Sequence, residues 1–383
     1  MPLRFLTAGE SHGPSLTAIL DGLPAGLVID RGALDALMAR RQTGFGSGGR
    51  MAIEHDRVAI TGGVVAGRTT GAPVALHIPN ADHAAWADRD IAPLTIPRPG
   101  HADLSAAVKY GYRELRLGLE RASARELAAR VAVGGLCLQL LGRFGIAVGS
   151  YVVQIGDVAI APDGPYRDRF AAAEANDVRC PDPAAAAAMR AAIQAAARDR
   201  DTLGGVFEVV VLGVPPGLGS HVQWDRRLTG RLLGAVASIP AVKGAEIGPA
   251  FANAARRGTD VHDRFVLAGD VGDDGDGRDD GGGDGNAGCG AGSGAVIDGR
   301  IDDDGAPPPA TRIVRTGGRG GGLEGGITTG APIVVRAAMK PISTTLTPLA
   351  SVDLATGAPA EARYERSDIC AVPRAAVAAE AMV

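Results

Sequence analysis

The spacing of apolar residues along the chain first predicts a series of strands. Alternating or β-branched apolar side chains fit the two-residue period of a pleated strand, and glycine and proline separate the runs. The predicted strands are Leu3 to Thr7, Leu16 to Leu20, Ile53 to Ile60, Pro73 to Ile78, Ala147 to Ile155, Val206 to Leu212 and Pro332 to Met339.

Apolar residues three or four positions apart predict the helices between these strands. Asp30 caps a helix whose buried stripe is Leu34, Leu37 and Met38. Asp182 and Pro183 begin an alanine-rich helix that we interpret as scaffold.

The segment from Arg98 to Val133 has the densest combination of features. Pro97 and Pro99 hold Arg98 extended and Gly100 permits a turn, so His101 lies at a bend that opens a helix. Before Gly118, the apolar positions are Leu104, Val108 and Leu115. After Gly118, one face carries the apolar residues Leu127, Val131, Leu138 and Leu141, and the opposite face carries Arg121, Ser123, Arg125 and Arg130. This pattern predicts an amphipathic run. A histidine at a turn is often only a polar surface residue, and the segment alone leaves that reading open.

Composition narrows the class of protein. The chain has 383 residues, of which 46% are hydrophobic, and a formal net charge of −4. Such a charge argues against a protein that coats nucleic acid, whereas local clusters of arginine favour a small anionic ligand. Four scattered cysteines without a CxxC pair indicate neither a zinc cluster nor a disulfide framework, and a reducing cytosol fits them. With no apolar signal region and no run of roughly 18 apolar residues, we expect a cytoplasmic protein that does not enter a membrane.

The motif GESHG at residues 9–13 is a second histidine motif. Gly9 and Gly13 frame Ser11 and His12, which lets the backbone approach a ligand while both side chains project from a tight turn. A Ser-His-Asp hydrolase is an alternative, but the GxSxG elbow is not matched.

A glycine-rich segment follows the first predicted helix. Arg40 and Arg41 end that helix, and four glycines separate Arg41 from Arg50. Arginines at a helix C-terminus are favourable through the helix dipole alone. The loop favours a second interpretation, a mobile flap that folds guanidinium groups over a substrate with several negative charges.

The C-terminal third carries further polar motifs beside glycine turns. Lys340 and the hydroxyl run Ser343 to Thr345 suit a phosphate tail, although a solvated strand end is the ordinary alternative. Asp368 lies between Arg366 and Arg374, where it is either an ion-pair partner or a catalyst.

Residues Asp270 to Pro309 are dominated by glycine and aspartate and predict a disordered surface insertion, because they cannot bury enough apolar surface. Calcium is the alternative function of such a stretch. The EF-hand pattern fails, since Arg278 stands where a ligand belongs, and we predict no metal site.

Together these motifs resemble the chorismate synthase family. The resemblance covers the whole chain except the acidic insertion, and its motifs are GESHG at 9–13, RPGHADL at 98–104, KYG at 109–111, ERASARE at 120–126, AARVA at 128–132, DTLGG at 201–205, PAVKGAEIG at 240–248, GGLEGGITTG at 321–330, MKPIST at 339–344 and RSDICAVPRA at 366–375. One departure is Ser47, which stands where the family usually has an arginine.

The resemblance implies an activity and a set of site residues. The implied reaction is the 1,4-elimination of phosphate from 5-enolpyruvylshikimate 3-phosphate to give chorismate, which requires reduced FMN, and NADPH is a candidate reductant. His12, His101 and Asp368 would be catalytic, and Ser11, Arg40, Arg41, Arg50 and Arg125 would bind substrate. The implied flavin contacts are Arg121, Ala122, Ser123, Pro240, Ala241, Gly325, Lys340, Pro341, Ile342, Ser343, Thr344 and Arg366.

The resemblance also implies the architecture. It predicts one α+β domain over residues 1–383, a βαβ sandwich of antiparallel sheets with helices between them and the insertion at about 270–309, assembled as a homotetramer. The alternative is a non-catalytic relative that binds flavin or substrate.

Overall fold

The computed structural model describes residues 3–49, 53–86, 91–267, 297–298, 312–362 and 367–383. Its strands are β1 (Arg4–Ala8), β2 (Ser15–Asp21), β3 (Ala59–Gly62), β4 (Val64–Val65), β5 (Arg68–Thr69), β6 (Val74–Pro79), β7 (Ala147–Ile155), β8 (Val158–Ala159), β9 (Gly205–Leu212), β10 (Val242–Ile247), β11 (Arg264–Leu267), β12 (Ile297–Asp298), β13 (Arg312–Thr316), β14 (Leu323–Glu324), β15 (Ile327–Thr328), β16 (Ile333–Met339), β17 (Ala350–Val352) and β18 (Pro359–Glu361).

The α-helices are α1 (Arg31–Gln42), α2 (Asp103–Tyr110), α3 (Arg116–Ala122), α4 (Leu127–Gly142), α5 (Tyr166–Glu174), α6 (Pro183–Arg198), α7 (Leu228–Ala237), α8 (Ala250–Ala254), α9 (Gly258–Val261) and α10 (Val372–Met382). Short 3-10 helices cover Ala81–Ala85, Ala124–Glu126 and Trp224–Arg226. The predicted caps are confirmed: Asp30 accepts from the Ala33 N–H, and Asp182 accepts from those of Ala184 and Ala185.

Two larger antiparallel sheets organise the chain. The first has the strand order β1-β2-β6-β3 and the second the order β10-β16-β9-β7-β8. In the first sheet, Leu16, Ala18 and Leu20 on β2 lie on the same face as Val74, Leu76 and Ile78 on β6, and all six are buried. Helices and antiparallel sheets therefore make an α+β structure, as expected.

Helices α4 and α10 lie in the core. Helix α4 packs on β2 and β6 of the first sheet and also contacts α1, α10 and β7, whereas α10 packs on β7 and β9 of the second sheet. The two helices approach closely, because a Cβ added at Gly134 would lie 2.5 Å from the carbonyl oxygen of Ala381. The hydrophobic core is thus built around these helices and both sheets.

Some predicted elements are wrong in detail. Helix α4 is not amphipathic, because Ala128, Ala132 and Val133 are buried together with Leu127 and Val131. On α2, Leu104 and Val108 are exposed. The strand predicted from Ile53 begins only at Ala59. The N-terminal half of the predicted strand instead contains Glu54 and Asp56, which form ion pairs with the buried Arg125. The spacing of apolar residues does not indicate these ion pairs.

Most of the predicted insertion lies outside the described residues. Its described residues form β12, which pairs with β13 in a three-stranded sheet of order β11-β13-β12. The prediction of a disordered segment stays a prediction.

Candidate active site

A cavity of about 480 Å³ brings together segments that are far apart in the sequence. Its lining includes Ser11, His12, Arg41, Gly48 and Trp86, together with residues from the segments 98–102, 119–127, 239–241, 339–344 and 367–375. This volume suits a small organic ligand. The two predicted histidine motifs therefore meet at one site.

The loop of residues 9–13 has a fixed shape. Gly9 has a φ of +112°, and a Cβ there would lie 2.4 Å from the carbonyl oxygen of Ser15, so glycine is needed. The buried side-chain amide of Asn80 donates to the carbonyl oxygens of Glu10 at 3.1 Å and of Gly13 at 2.8 Å. These bonds position Ser11 and His12 at the cavity.

His12 is held by a carboxylate and an aromatic ring. Its Nδ1 lies 2.7 Å from Oε1 of Glu120, and its backbone N–H donates to Oε2 of Glu120 at 2.6 Å. The indole of Trp86 packs on the imidazole with ring centroids 4.2 Å apart. Burial alone would raise the pKa of Glu120, but the hydrogen bonds from His12 outweigh it and the pKa lies below its ordinary value.

His101 has the same kind of support. Gly100 turns the chain with a φ of +76°, and Nδ1 of His101 lies 2.5 Å from Oδ1 of the fully buried Asp103. Arg98 donates to both oxygens of Asp103, at 2.8 and 3.0 Å. Nη2 of Arg98 is also 3.0 Å from Nδ1 of His101. The shorter carboxylate contact requires a proton on Nδ1, so Arg98 serves Asp103 as donor and not the imidazole.

Arg41 and Arg125 form a buried cationic wall. Both pair with Asp56, and Arg125 also donates from Nε to Asn80 at 2.8 Å. Burial alone would raise the pKa of Asp56, but the two guanidinium groups outweigh it and lower the pKa. Within the described part of the chain, Nε of Arg41, Nη2 of Arg125 and Nε of Arg374 have no hydrogen-bond partner. Buried donors of this kind fit an anionic ligand.

The glycine-rich segment after Arg41 is anchored, in contrast to the free flap expected. The N–H of Phe45 donates to Asp177 O at 2.8 Å, and the N–H of Ile369 donates to Gly46 O at 2.8 Å. The N–H of Gly48 donates to Oδ1 of Asp368 at 2.7 Å. Residues 44–49 therefore dock on the segment that carries Asp368.

Asp368 is held from two sides at the cavity. Besides the Gly48 N–H, it pairs through Oδ2 with Arg374 on α10. Burial, together with the nearby Arg41, lowers the pKa of Arg374 to about 9, so its guanidinium remains charged at neutral pH. Asp368 is thus in an ion pair and also lines the cavity, and its catalytic role stays a prediction.

Small and hydroxyl side chains make up another part of the cavity lining. Ala122, Ser123, Pro240 and Ala241 lie there with Lys340, Ile342, Ser343 and Thr344. Ala241 has a φ of +69°, a conformation that is unusual for a residue with a Cβ and often marks functional sites. Burial and the neighbouring Lys243 lower the pKa of Lys340.

Four predicted site residues do not line this cavity. Arg40 pairs with Glu174 and with the buried Glu380 of α10, and Arg121 donates to Thr7. Gly325 lies in the β14–β15 turn, and Pro341 lies between lining residues. Arg50 and Arg366 lie outside the described residues.

The structure adds residues that the sequence did not indicate as site residues. Arg98, Trp86 and Arg374 line the cavity, and Asp103 and Glu120 hold the two histidines. Only Asp103 is close in sequence to its histidine. Because Glu120 is 108 positions from His12, no local pattern relates the two residues.

Two kinds of feature are absent from the described residues. In those ranges, no cluster of histidine, cysteine, aspartate and glutamate could hold a metal ion. No helix in the same ranges is long and apolar enough to cross a membrane.

Comparisons with known proteins agree with the geometry. The family model described as chorismate synthase matches residues 3–383. Chorismate synthase of Desulforudis audaxviator (strain MP104C) is 48% identical over 391 residues, covering 100% of this chain and 90% of that protein. The enzyme of Symbiobacterium thermophilum (strain DSM 24528 / JCM 14929 / IAM 14863 / T) is 48% identical over 394 residues, covering 99% and 90%.

A solved structure extends the likeness to three dimensions. The crystal structure titled chorismate synthase superposes with a TM-score of 0.71 at 37% identity and covers 100% of this chain and 89% of that one. On the sequence motifs and these matches, the chain belongs to the chorismate synthase family.

Proposed function

We propose that this protein is a lyase that eliminates phosphate from 5-enolpyruvylshikimate 3-phosphate to give chorismate. The observation that carries the proposal is the convergence of His12, His101 and Asp368 on one cavity whose wall holds the buried arginines Arg41 and Arg125, each with a guanidinium nitrogen that makes no hydrogen bond. The substrate class that fits is a small molecule with several negative charges. The family to which the chain belongs supports the same reaction.

Arginine side chains would bind and orient the anionic substrate. Arg41 and Arg125 are fixed from behind by Asp56, so they approach a ligand already oriented. Arg98 and Arg374 add two further guanidinium groups to the lining. A guanidinium group binds carboxylate or phosphate with two parallel hydrogen bonds, which suits a substrate that carries both. We also propose Ser11, which lines the cavity, and Arg50 as substrate contacts.

A second group of lining residues fits the phosphate-bearing flavin FMN. Lys340, Ser343 and Thr344 offer an ammonium and two hydroxyl groups, and Ala122, Pro240 and Ala241 leave room beside them. We infer that these residues, with Ser123 and Ile342, would hold the flavin. We also propose four flavin contacts that only the family resemblance supports: Arg121, Gly325, Pro341 and Arg366. When bound in reduced form, FMN would supply electron density to the elimination without net oxidation or reduction.

The chain's own residues would manage the protons. The reaction breaks one carbon–oxygen bond, whose electron pair leaves with phosphate, and one ring carbon–hydrogen bond, whose electron pair forms the new double bond. His12 would protonate the departing phosphate, and imidazole is suited to proton transfer near neutral pH. His101 would act near the flavin, and Asp368 would assist removal of the ring proton.

The remaining features of the proposal rest on family membership. They are a homotetramer, a cytoplasmic location and NADPH as a reductant of the flavin. The packing of α4 and α10 against both sheets supports description as a single βαβ sandwich. The alternative is a non-catalytic relative that binds flavin or substrate, which would not need two supported histidines and a held carboxylate in one cavity.

Substitution of the three proposed catalytic residues tests the assignment. We expect His12→Ala and His101→Ala each to lower turnover by about a hundredfold or more, because a positioned acid or base contributes that much. Asp368→Ala should do the same. The control is His77→Ala on β6, which does not line the cavity. Near-normal turnover of a cavity variant would remove that residue from the mechanism.

A further inference from the structure

We propose that Glu120 is a positioning residue that fixes both the orientation of His12 and the ring nitrogen with which His12 exchanges protons. The inference deepens the proposed function, on which it rests for the role of His12. Glu120 is the first residue of the ERASARE motif, and the sequence motifs predicted no role for it.

Glu120 holds His12 at two points. Oε2 accepts from the backbone N–H of His12 at 2.6 Å, and Oε1 contacts the imidazole Nδ1 at 2.7 Å. The carbonyl oxygen of Glu120 also accepts from the N–H of Ser11 at 3.1 Å. One residue of α3 therefore fixes both the loop backbone and the ring.

This arrangement selects the proton-bearing nitrogen. An ionised carboxylate accepts hydrogen bonds and cannot donate them, so Nδ1 of His12 must carry the proton. The lowered pKa of Glu120 agrees with an ionised group. Nε2 is then the nitrogen that exchanges a proton with a ligand, as in other sites where a carboxylate sets the tautomer of a histidine.

The other neighbours of His12 are compatible with this assignment. Oδ2 of Asp82 lies 4.0 Å from Nε2, beyond hydrogen-bonding distance, and the indole N–H of Trp86 donates to that same oxygen at 3.2 Å. His83 contacts the backbone carbonyl of His12 at 2.9 Å and not its ring. Of the neighbours named here, Glu120 is the one that lies within hydrogen-bonding distance of an imidazole nitrogen of His12.

The measurement that tests the tautomer uses protein without flavin or substrate. The protein is labelled with ¹⁵N-histidine, and the His12 resonances are assigned by their loss in His12→Ala. Above the pH at which the ring loses its charge, we expect Nδ1 to be the protonated nitrogen in the wild type. Glu120→Gln should shift His12 toward the Nε2-protonated form, because the amide can donate to Nδ1. An Nε2-protonated ring in the wild type would overturn the proposal, whatever the turnover assay gives.

Kinetics then test the consequence for the reaction. For Glu120→Gln we expect kcat to fall by about ten- to a hundredfold with KM changed by less than about threefold, as is typical of residues that orient a functional histidine. The control is Glu114→Gln, whose carboxylate accepts from the backbone N–H groups of Leu94 and Arg116 and contacts no histidine. A kcat for Glu120→Gln within about twofold of wild type would contradict the proposal. If Glu120→Gln does not fold, the tautomer of His12 in the wild-type protein still tests the proposal.

Discussion

Individual residues at the cavity act in pairs of a functional group and a carboxylate behind it. His12 has Glu120, His101 has Asp103, and Arg41 and Arg125 share Asp56. The histidines and Arg41 could be predicted as candidates, because glycines frame the histidines and Arg41 precedes the glycine-rich segment, whereas Arg125 was indicated by the family resemblance. The carboxylates could not be predicted in this way, since Asp56 falls within the predicted strand Ile53 to Ile60 and Glu120 is far from His12 in the sequence.

Asp103→Asn should reveal the pH dependence of one such pair. Burial alone would raise the pKa of Asp103, but His101 and Arg98 outweigh it and hold the pKa below its ordinary value of 3.8. A depressed pKa means that the carboxylate stabilises the fold above about pH 4 and loses this contribution as the pH falls through the folded-state value. We expect the variant to be less stable by about 3 kcal/mol near pH 7, because Arg98 is left buried without its partner.

The measurement is thermal unfolding of wild type and variant between about pH 7 and pH 2. The difference in Tm should be constant down to about pH 4 and then narrow. Asp225→Asn, which changes an exposed carboxylate, is the control. A difference that widens in acid would contradict the assignment.

At the scale of elements, the glycine-rich segment 44–49 shows what composition alone misjudges. Four glycines between two arginines suggested mobility, yet glycine at position 48 serves close approach. A Cβ at Gly48 would lie 2.7 Å from the carbonyl oxygen of Ser367. The segment is therefore a docked wall of the site, joined to Asp368 by a hydrogen bond from its backbone.

Gly48→Ala should impair the site without unfolding the protein. The added methyl group must push the segment away from Ser367 and lengthen the bond from the Gly48 N–H to Asp368. We expect kcat/KM to fall by about tenfold or more, the equivalent of roughly 1.4 kcal/mol, with a change in Tm of a few degrees at most. Gly49→Ala is the matched control, because a Cβ there meets no atom within 4 Å. Equal activity of the two variants would show that docking of the segment does not matter.

At the scale of the whole molecule, the local elements were more predictable than their arrangement. The bounds of β7 and the caps of α1 and α6 follow from local periodicity and capping, and the structure confirms them. The packing of α4 on the first sheet and of α10 on the second is not local information. Most of helix α4 is apolar, with Arg130 and Gln139 as its polar side chains, and the two helices that meet at Gly134 and Ala381 are far apart in the sequence.

Gly134→Ala tests this helix packing. Alanine favours a helix over glycine by about 1 kcal/mol, but here the methyl group would meet the backbone of α10. Overpacking of this kind costs about 1–3 kcal/mol beyond that gain, so we expect a lower free energy of unfolding in urea. Gly142→Ala on the same helix, where a Cβ meets nothing within 4 Å, should leave stability unchanged or slightly raised. A stabilised Gly134→Ala protein would contradict the close approach of α4 and α10.

The measurement that tests the central claim most directly is turnover of 5-enolpyruvylshikimate 3-phosphate by the purified protein with reduced FMN, without oxygen. Chorismate and inorganic phosphate are quantified in the same samples, and a reaction without flavin is the control. The account predicts that both products appear together in equal amounts, with reduced FMN required and not consumed. Binding of substrate and flavin without formation of chorismate would contradict it and identify a non-catalytic relative.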